Sequence, residues 1–369
     1  MKLELAKTDL VNATAIVGRA VSSRPSLQVL AGIRLTTRNE SLELAATDME
    51  LSLAAQVDAS IAEQGEVVVP GRIFVDVVRN LPSDRVTLES SSDSSISLRS
   101  GNAHFTLRCL PTADFPAFVD DLPTDKLVDL PFSSLSDAIA RVARAASRDE
   151  TRPHLTGVLL QSSSSRLRLV ATDSYRLAVI EVPVPSEGID ANIPARSLQE
   201  LARIGGQLEE SHLRLAVDEQ RVIFLLGRVR MVSRLVEGRF PSYEQLLPDT
   251  WEHELSLDRD ELLDVVRRVA LLAQRHSPLR LRFRPGELEV SAETPEVGEA
   301  SERLPISYSA DEFEIGFNPD FLRDGLETAL SQTIRLKLLT PLRPALIESE
   351  SQDANQKMLY LVMPIRLNT

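Results

Sequence analysis

Cysteine is almost missing from this chain of 369 residues: Cys109 stands alone. No disulfide can staple a monomer, so the fold has to rest on buried apolar surface. Aromatic residues are also scarce, and no apolar run approaches the roughly 18 residues that would cross a membrane. The opening MKLELAKTDL lacks an apolar signal core, which predicts a cytoplasmic protein. The five histidines, His104, His154, His212, His253 and His276, show no HxxxH or HExxH spacing, so no metal site is expected. GxSxG, GxxxxGK and a strand-led GxGxxG are missing too, which leaves no catalytic residue to name and no cofactor to expect. Cys109 lies in the alternating run HFTLRCL without a motif around it and reads as a packing residue.

What is present is an ordinary globular composition, long enough for two or three domains. The formal net charge is −13, which by itself argues against phosphate as a partner. Distribution matters more than the sum. Arginine gathers in amphipathic stretches: Arg141, Arg144 and Arg148; Arg267, Arg268 and Arg275; Arg72 with Arg79; Arg196 with Arg203. Acids favour loops and strand edges, as at Asp120, Asp121, Glu209, Glu210, Glu348 and Glu350. The pattern predicts a basic helix face on an acidic protein.

The strongest signal is a repeat with a period of about 124 residues. SLELAATDMELSLA at 41–54 returns as RLRLVATDSYRLAV at 166–179 and, more faintly, as ELEVSAE at 287–293. VVVPGRIFVDVVRNLP at 67–82 returns as ANIPARSLQELARIG at 191–205 and as EIGFNPDFLRDGLETA at 314–329, with Pro70, Pro194 and Pro319 at or just before each helical run. Each copy is preceded by an amphipathic stretch starting near Leu10, Leu135 or Leu262. In the second, Leu135, Ile139 and Val142 line up one apolar stripe. Asp9, Ser133, Ser134, Asp258 and Asp260 are caps or first-turn acids for these helices. Between helices lie short runs of period two, such as IRLTT, LSLAAQV and HFTLRCL, which mark antiparallel strands. The fold class is therefore α+β, with helix, strands, helix, strands in each of three like-folded domains. Boundaries near the proline- and acid-rich stretches 119–130 and 247–254 give domains 1–125, 126–251 and 252–369.

Asp48 and Asp173 both sit in an ATD triplet, the one arrangement that tempts a catalytic reading. They occupy equivalent places in different repeats, with no base or metal ligand nearby in the pattern. An Asp in that position closes a turn by accepting from backbone amides. The chain reads as a scaffold that binds, not as an enzyme.

The three-fold repeat, the ATD triplets, RLVEGRFPSYEQLLP at 234–248 and the terminal YLVMPIRL at 360–367 together resemble the bacterial sliding clamp family, the beta subunit of DNA polymerase III. The resemblance spans the chain. It implies a head-to-tail homodimer forming a ring, with helices lining the interior, antiparallel sheets outside and duplex DNA encircled without sequence readout. It also implies, as partners, the replicative polymerase, the clamp loader and other clamp-binding proteins that dock through short peptide motifs, and no membrane. Residues matching the family's peptide cleft are Leu155, Thr172, Arg176, Leu177, Pro241, Leu246, Asn318, Leu346, Leu361, Val362, Met363, Pro364, Ile365 and Arg366. Arg176 and Arg366 would hold a carboxylate or carbonyl at its rim. Arg24, Arg72, Arg152 and Arg196 match DNA contacts, and Phe105 and Leu107 would meet Leu271 and Leu272 at the dimer joint. The chain departs from the pattern at Ser174 and Tyr175 in the cleft floor, at Gln245 on one rim, and at Pro153 and His154 in a DNA-facing loop. A competing reading keeps the groove without DNA: a cytosolic repeat receptor for a peptide or small ligand.

Overall fold

The computed structural model describes all residues except 93, 118–126, 164, 185–187, 274–276, 296, 353–354 and 368–369. The expected boundary at 125/126, together with Asp120, Asp121, Arg275 and His276, lies outside the described residues. Among the described residues six α-helices alternate with strands: α1 Lys7–Val17, α2 Gly71–Arg79, α3 Phe132–Val142, α4 Ala195–Leu208, α5 Arg259–Val269 and α6 Pro319–Glu327. Among the described residues every strand pairing is antiparallel, and the architecture is α+β with three repeats of helix, strands, helix, strands.

Local chemistry explains where the helices begin. Pro70 and Pro194 end the strands that lead into α2 and α4, and Pro319 occupies the first turn of α6, where a missing N–H costs nothing. Asp258 caps α5, its Oδ1 accepting from the amides of Asp260 and Glu261 at 2.9 and 3.0 Å. Asn318 caps α6 in the same way. Asp9 is a first-turn acid, with Ala6 at the cap. The expected stripes are the buried ones: Leu135, Ile139 and Val142 in α3, and Leu262, Val265, Val266 and Val269 in α5.

By its contacts the chain forms two compact units, Met1–Phe132 with Glu200–Leu235, and Ser133–Gln199 with Val236–Thr369. Each unit holds an eight-stranded sheet assembled from two repeats. In the first, strand Leu51–Asp58 of the first repeat pairs with Val229–Arg234 of the second. In the second, Arg176–Pro183 of the second repeat pairs with Lys357–Val362 of the third. Sheets therefore run across the sequence repeats rather than stopping at their ends. Two half-sheets are left without such a joint. The first unit keeps a five-stranded sheet with Ala103–Arg108 at its edge, and the second a four-stranded sheet with Gly298–Pro305 at its edge.

Candidate partner groove and basic residues

The register of the second unit's large sheet puts Thr172, Leu177, Leu361 and Leu346 in one row across four neighbouring strands. Because side chains alternate between faces along a strand, Val170, Val179 and Leu359 share that face, while Arg176, Tyr360 and Val362 point to the other. The segment that follows Val236 covers the first face. Phe240 and Tyr243 pack there with Leu159, Val170, Leu177, Val179, Leu346 and Leu361, and Leu247 and Trp251 close the flank. Tyr243 keeps its hydroxyl satisfied by accepting from Arg168 Nη1 at 3.1 Å.

This packing leaves a dry floor with open apolar edges. Leu177, Leu346 and Leu361 are buried, whereas Leu246 is 49% and Met363 38% exposed, and Pro241 is exposed beside them. The tail is held in place: Met363 N–H donates to the Tyr175 carbonyl at 2.8 Å, and Ile365 N–H to that of Gly316 at 2.7 Å. Gly316 is needed there, since a Cβ would come within 2.6 Å of Leu367 and 3.0 Å of the Ile365 carbonyl. Pro364 and Ile365 are half-buried along this stretch and Arg366 is exposed. The third separate segment expected at the site, Leu155, is buried at the end of a short 3-10 turn.

Three residues expected in the groove have other work. Val362 is fully buried on the opposite face. Asn318 spends its side-chain oxygen capping α6. Arg176 is no free rim cation, because its side chain is 11% exposed and already engaged. It pairs with Asp173 at 3.0 Å and with Asp324, donates to the Arg144 carbonyl at 2.6 Å, and lies 4.5 Å above the Phe321 ring. Burial alone would lower its pKa, yet Tyr360, Asp324 and Asp173 outweigh that and leave it raised. Burial likewise pushes the Tyr360 hydroxyl well above the ordinary phenol range. Arg176 is a post beneath the groove that ties the 173–176 turn to α6.

The ATD triplets are turns, as their residue types predict. Asp48 Oδ1 accepts from the amides of Glu50 and Leu51, and Asp173 Oδ1 from those of Tyr175 and Arg176. Met49 and Ser174, the residues after each Asp, take φ of 77° and 79°. The first unit thus carries a twin of the groove's turn, with different lining. Where Thr172 faces Leu177, Thr47 faces Ser52, and their hydroxyls lie 2.7 Å apart. Beyond the twin seam Arg234 pairs with Glu50. A polar floor of that kind offers nothing to an apolar side chain.

The expected basic helix face is a correction. Arg141 is held by Asp137 and by the carbonyls of Thr328 and Ala329; Arg144 and Arg267 share Glu327; Arg268 holds Glu302; Arg203 holds Glu200. Arg267 first, and Arg144 with it against the opposing effect of burial, keep the Glu327 carboxyl below its usual range. These helices carry balanced charge because carboxylates three or four residues away, on the neighbouring helix, or on strand Gly298–Pro305 reach the same guanidinia. The expected DNA contacts differ among themselves. Arg24 and Arg72 are exposed and have no ion pair among the described residues. Arg196 is exposed on the first turn of α4. Arg152 is half-buried, bonded to Asp149 at 3.0 Å and to Ser174 Oγ at 3.2 Å.

At the two open sheet edges, Phe105 is 36% exposed and Leu107 half-buried on the first; Leu271, after α5, is 81% exposed and Leu272 half-buried. Cys109 follows the edge strand rather than lying in it, its amide donating to the Ser94 carbonyl. Sequence reading passes over Phe240 and Tyr243, which cap the groove floor. Two aromatic residues flanking Pro241 on so aromatic-poor a chain are the signal that was there to find.

Three repeats sharing two sheets, with unjoined half-sheets and exposed Leu246 and Met363 beside one seam, define a repeat-built scaffold. Family comparison says which. Models of the DNA polymerase III beta subunit match the N-terminal domain over residues 1–119, the central domain over 129–242 and the C-terminal domain over 244–366. Beta sliding clamps of Streptomyces coelicolor and Pseudomonas putida are 33% and 31% identical, covering the whole of both chains. The structure superposes on the Bacillus subtilis sliding clamp with a TM-score of 0.93 at 27% identity, and on the Pseudomonas aeruginosa beta subunit with 0.92 at 30%, both over full length. Another similar structure is a P. aeruginosa clamp bound to griselimycin, with a TM-score of 0.91 at 29% identity and full coverage. The chain belongs to the DNA polymerase III beta subunit family, the bacterial sliding clamps.

Proposed function

We propose that two copies of this chain close head to tail into a ring around duplex DNA. The ring tethers the replicative polymerase, the clamp loader and other proteins through short peptides in the second unit's groove. Family membership carries the clamp role, and the unmatched half-sheets carry the assembly. Each completed seam joins a strand like Val229–Arg234 to one like Leu51–Asp58. By the repeat, Ala103–Arg108 is the counterpart of the former and Gly298–Pro305 of the latter. Pairing these two edges between chains would make the same seam again and bury edges that are otherwise open to aggregation. Charge favours it: Ala103–Arg108 carries Arg108 and no acid, while Gly298–Pro305 carries Glu299 and Glu302 against the single Arg303. Phe105 and Leu107 would then pack near Leu271 and Leu272. Replacing Leu271 and Leu272 with alanine should shift the dimer toward monomer in sedimentation. A wild-type chain that is monomeric at micromolar concentration would sink the ring.

The repeat supports domain limits of 1–125, 126–251 and 252–369, with the matched C-terminal range beginning somewhat earlier, at residue 244. On this reading the chain has no catalytic site of its own and works in the cytoplasm; among the described residues no helix is long and apolar enough to cross a membrane. Arg24, Arg72, Arg152 and Arg196 touch phosphates only, which positions DNA without reading it and lets the ring slide. Loaded on a nicked circle, the clamp should stay bound in salt of about 0.5 M, where a few phosphate contacts hold little, and should leave when the circle is cut to a line. Equal retention on circle and line would show direct grip instead of topology. Sequence-selective binding to short duplexes would overturn the reading. The groove without DNA, as in a receptor, has no observation in its favour.

A further inference from the structure

On this acidic chain most described arginines of the second unit already hold a carboxylate, as Arg141, Arg176, Arg268 and Arg335 illustrate. Three that lie close in sequence to groove residues do not. Arg239, Arg343 and Arg366 are exposed, and none has an ion pair or side-chain hydrogen bond among the described residues. Their places in the chain are telling. Arg239 immediately precedes Phe240 and Pro241, which cap the groove. Arg343 sits in the turn between strands Thr333–Leu338 and Ala345–Glu350, three residues before the floor residue Leu346. Arg366 follows Ile365, whose amide is pinned to Gly316.

Register fixes how far the open apolar edge extends. Ala345 lies opposite Val362, so the chain bearing Leu342 and Arg343 turns just beyond the place where Met363 leaves its strand. Leu342 is 64% exposed there. Leu246, Met363 and Leu342 are thus exposed apolar residues on three segments leading to the floor, and each segment carries an uncommitted arginine. Uncommitted cations beside an apolar edge make this local surface positive on a protein of net charge −13, which favours an acidic ligand there.

We propose that the groove takes a peptide whose apolar core is flanked by carboxylates, with Arg239 and Arg343 reading the two flanks, Arg366 assisting, and Leu342 seating an additional apolar side chain. This rests on the groove being the peptide site. It reassigns to these residues the carboxylate contact that Arg176, committed below the floor, cannot make.

Two fluorescein-labelled peptides test it by anisotropy on the full chain. Both carry two leucines and a phenylalanine at the centre; one is flanked by glutamates, the other by glutamines. In low salt the acidic peptide should bind about three- to tenfold tighter, the scale of a few exposed ion pairs, and the ratio should shrink as salt rises. In an Arg239→Gln/Arg343→Gln double variant the ratio should fall toward one, with Arg343→Lys restoring part of it. If both peptides bind the wild type equally, or the preference survives the double variant, the acidic-flank proposal is wrong and the groove stands. If neither peptide binds, the groove itself has been misplaced.

Discussion

Arg176→Ala should lower the free energy of unfolding by about 3 kcal/mol, the scale seen when one partner is taken from a buried ion network. The substitution takes the guanidinium from the partly buried Asp173 and Asp324, leaving Asp324 only Arg144 at 3.8 Å, removes it from above Phe321, and leaves the Arg144 carbonyl without its donor. Arg176→Lys should recover only part of the loss, because a single ammonium cannot span those positions as a planar fork does. Denaturant titration of the second-unit transition, followed by Trp251, which packs beside the groove floor, is the measurement. A change below about 0.5 kcal/mol, the range of an ordinary surface substitution, would show the network to be idle. Arg176 lies behind the sheet, so loss of peptide affinity in this variant should track loss of folded protein.

The opposite separation is expected from the groove's open edge. Leu246→Asp combined with Met363→Asp should weaken binding of polymerase-derived peptides at least 100-fold, as judged by titration. An apolar peptide anchor buried against these residues contributes several kcal/mol at roughly 25 cal/mol per Å², and two carboxylates would have to be desolvated in its place. Both side chains are substantially exposed, so folding should be nearly unaffected. Point changes are sharper here than truncation, since removing the chain from Met363 onward also removes the Ile365 bond to Gly316 and the packing of Leu367. Unchanged affinity in the double variant would move the site elsewhere.

Much of this was legible in the residues. The repeat announces itself through proline and the ATD turn, both set by local backbone chemistry: Pro at a helix start and Asp accepting from the next amides require no distant partner. Helix stripes such as Leu135, Ile139 and Val142 follow from periodicity for the same reason. The groove was half legible. Leu177, Leu361 and Met363 could be matched by motif, but which face each occupied could not.

What the sequence by itself determined is the set of units and their local form: helices, turns and alternating strands. Only the tertiary structure decided the pairings between repeats, because a strand's partner is chosen by long-range register rather than by neighbouring residues. That choice turns Val362 and Arg176 away from the groove while Leu177 and Leu361 form its floor. It also decided charge. Arg141, Arg144 and Arg267 look free along the chain, yet folding brings Asp137 and Glu327 within ion-pair distance of them. Arg239 and Arg343 look no different in sequence, but folding leaves them exposed and unmatched beside the groove, since Coulomb pairing depends on distance in space and not on position along the chain.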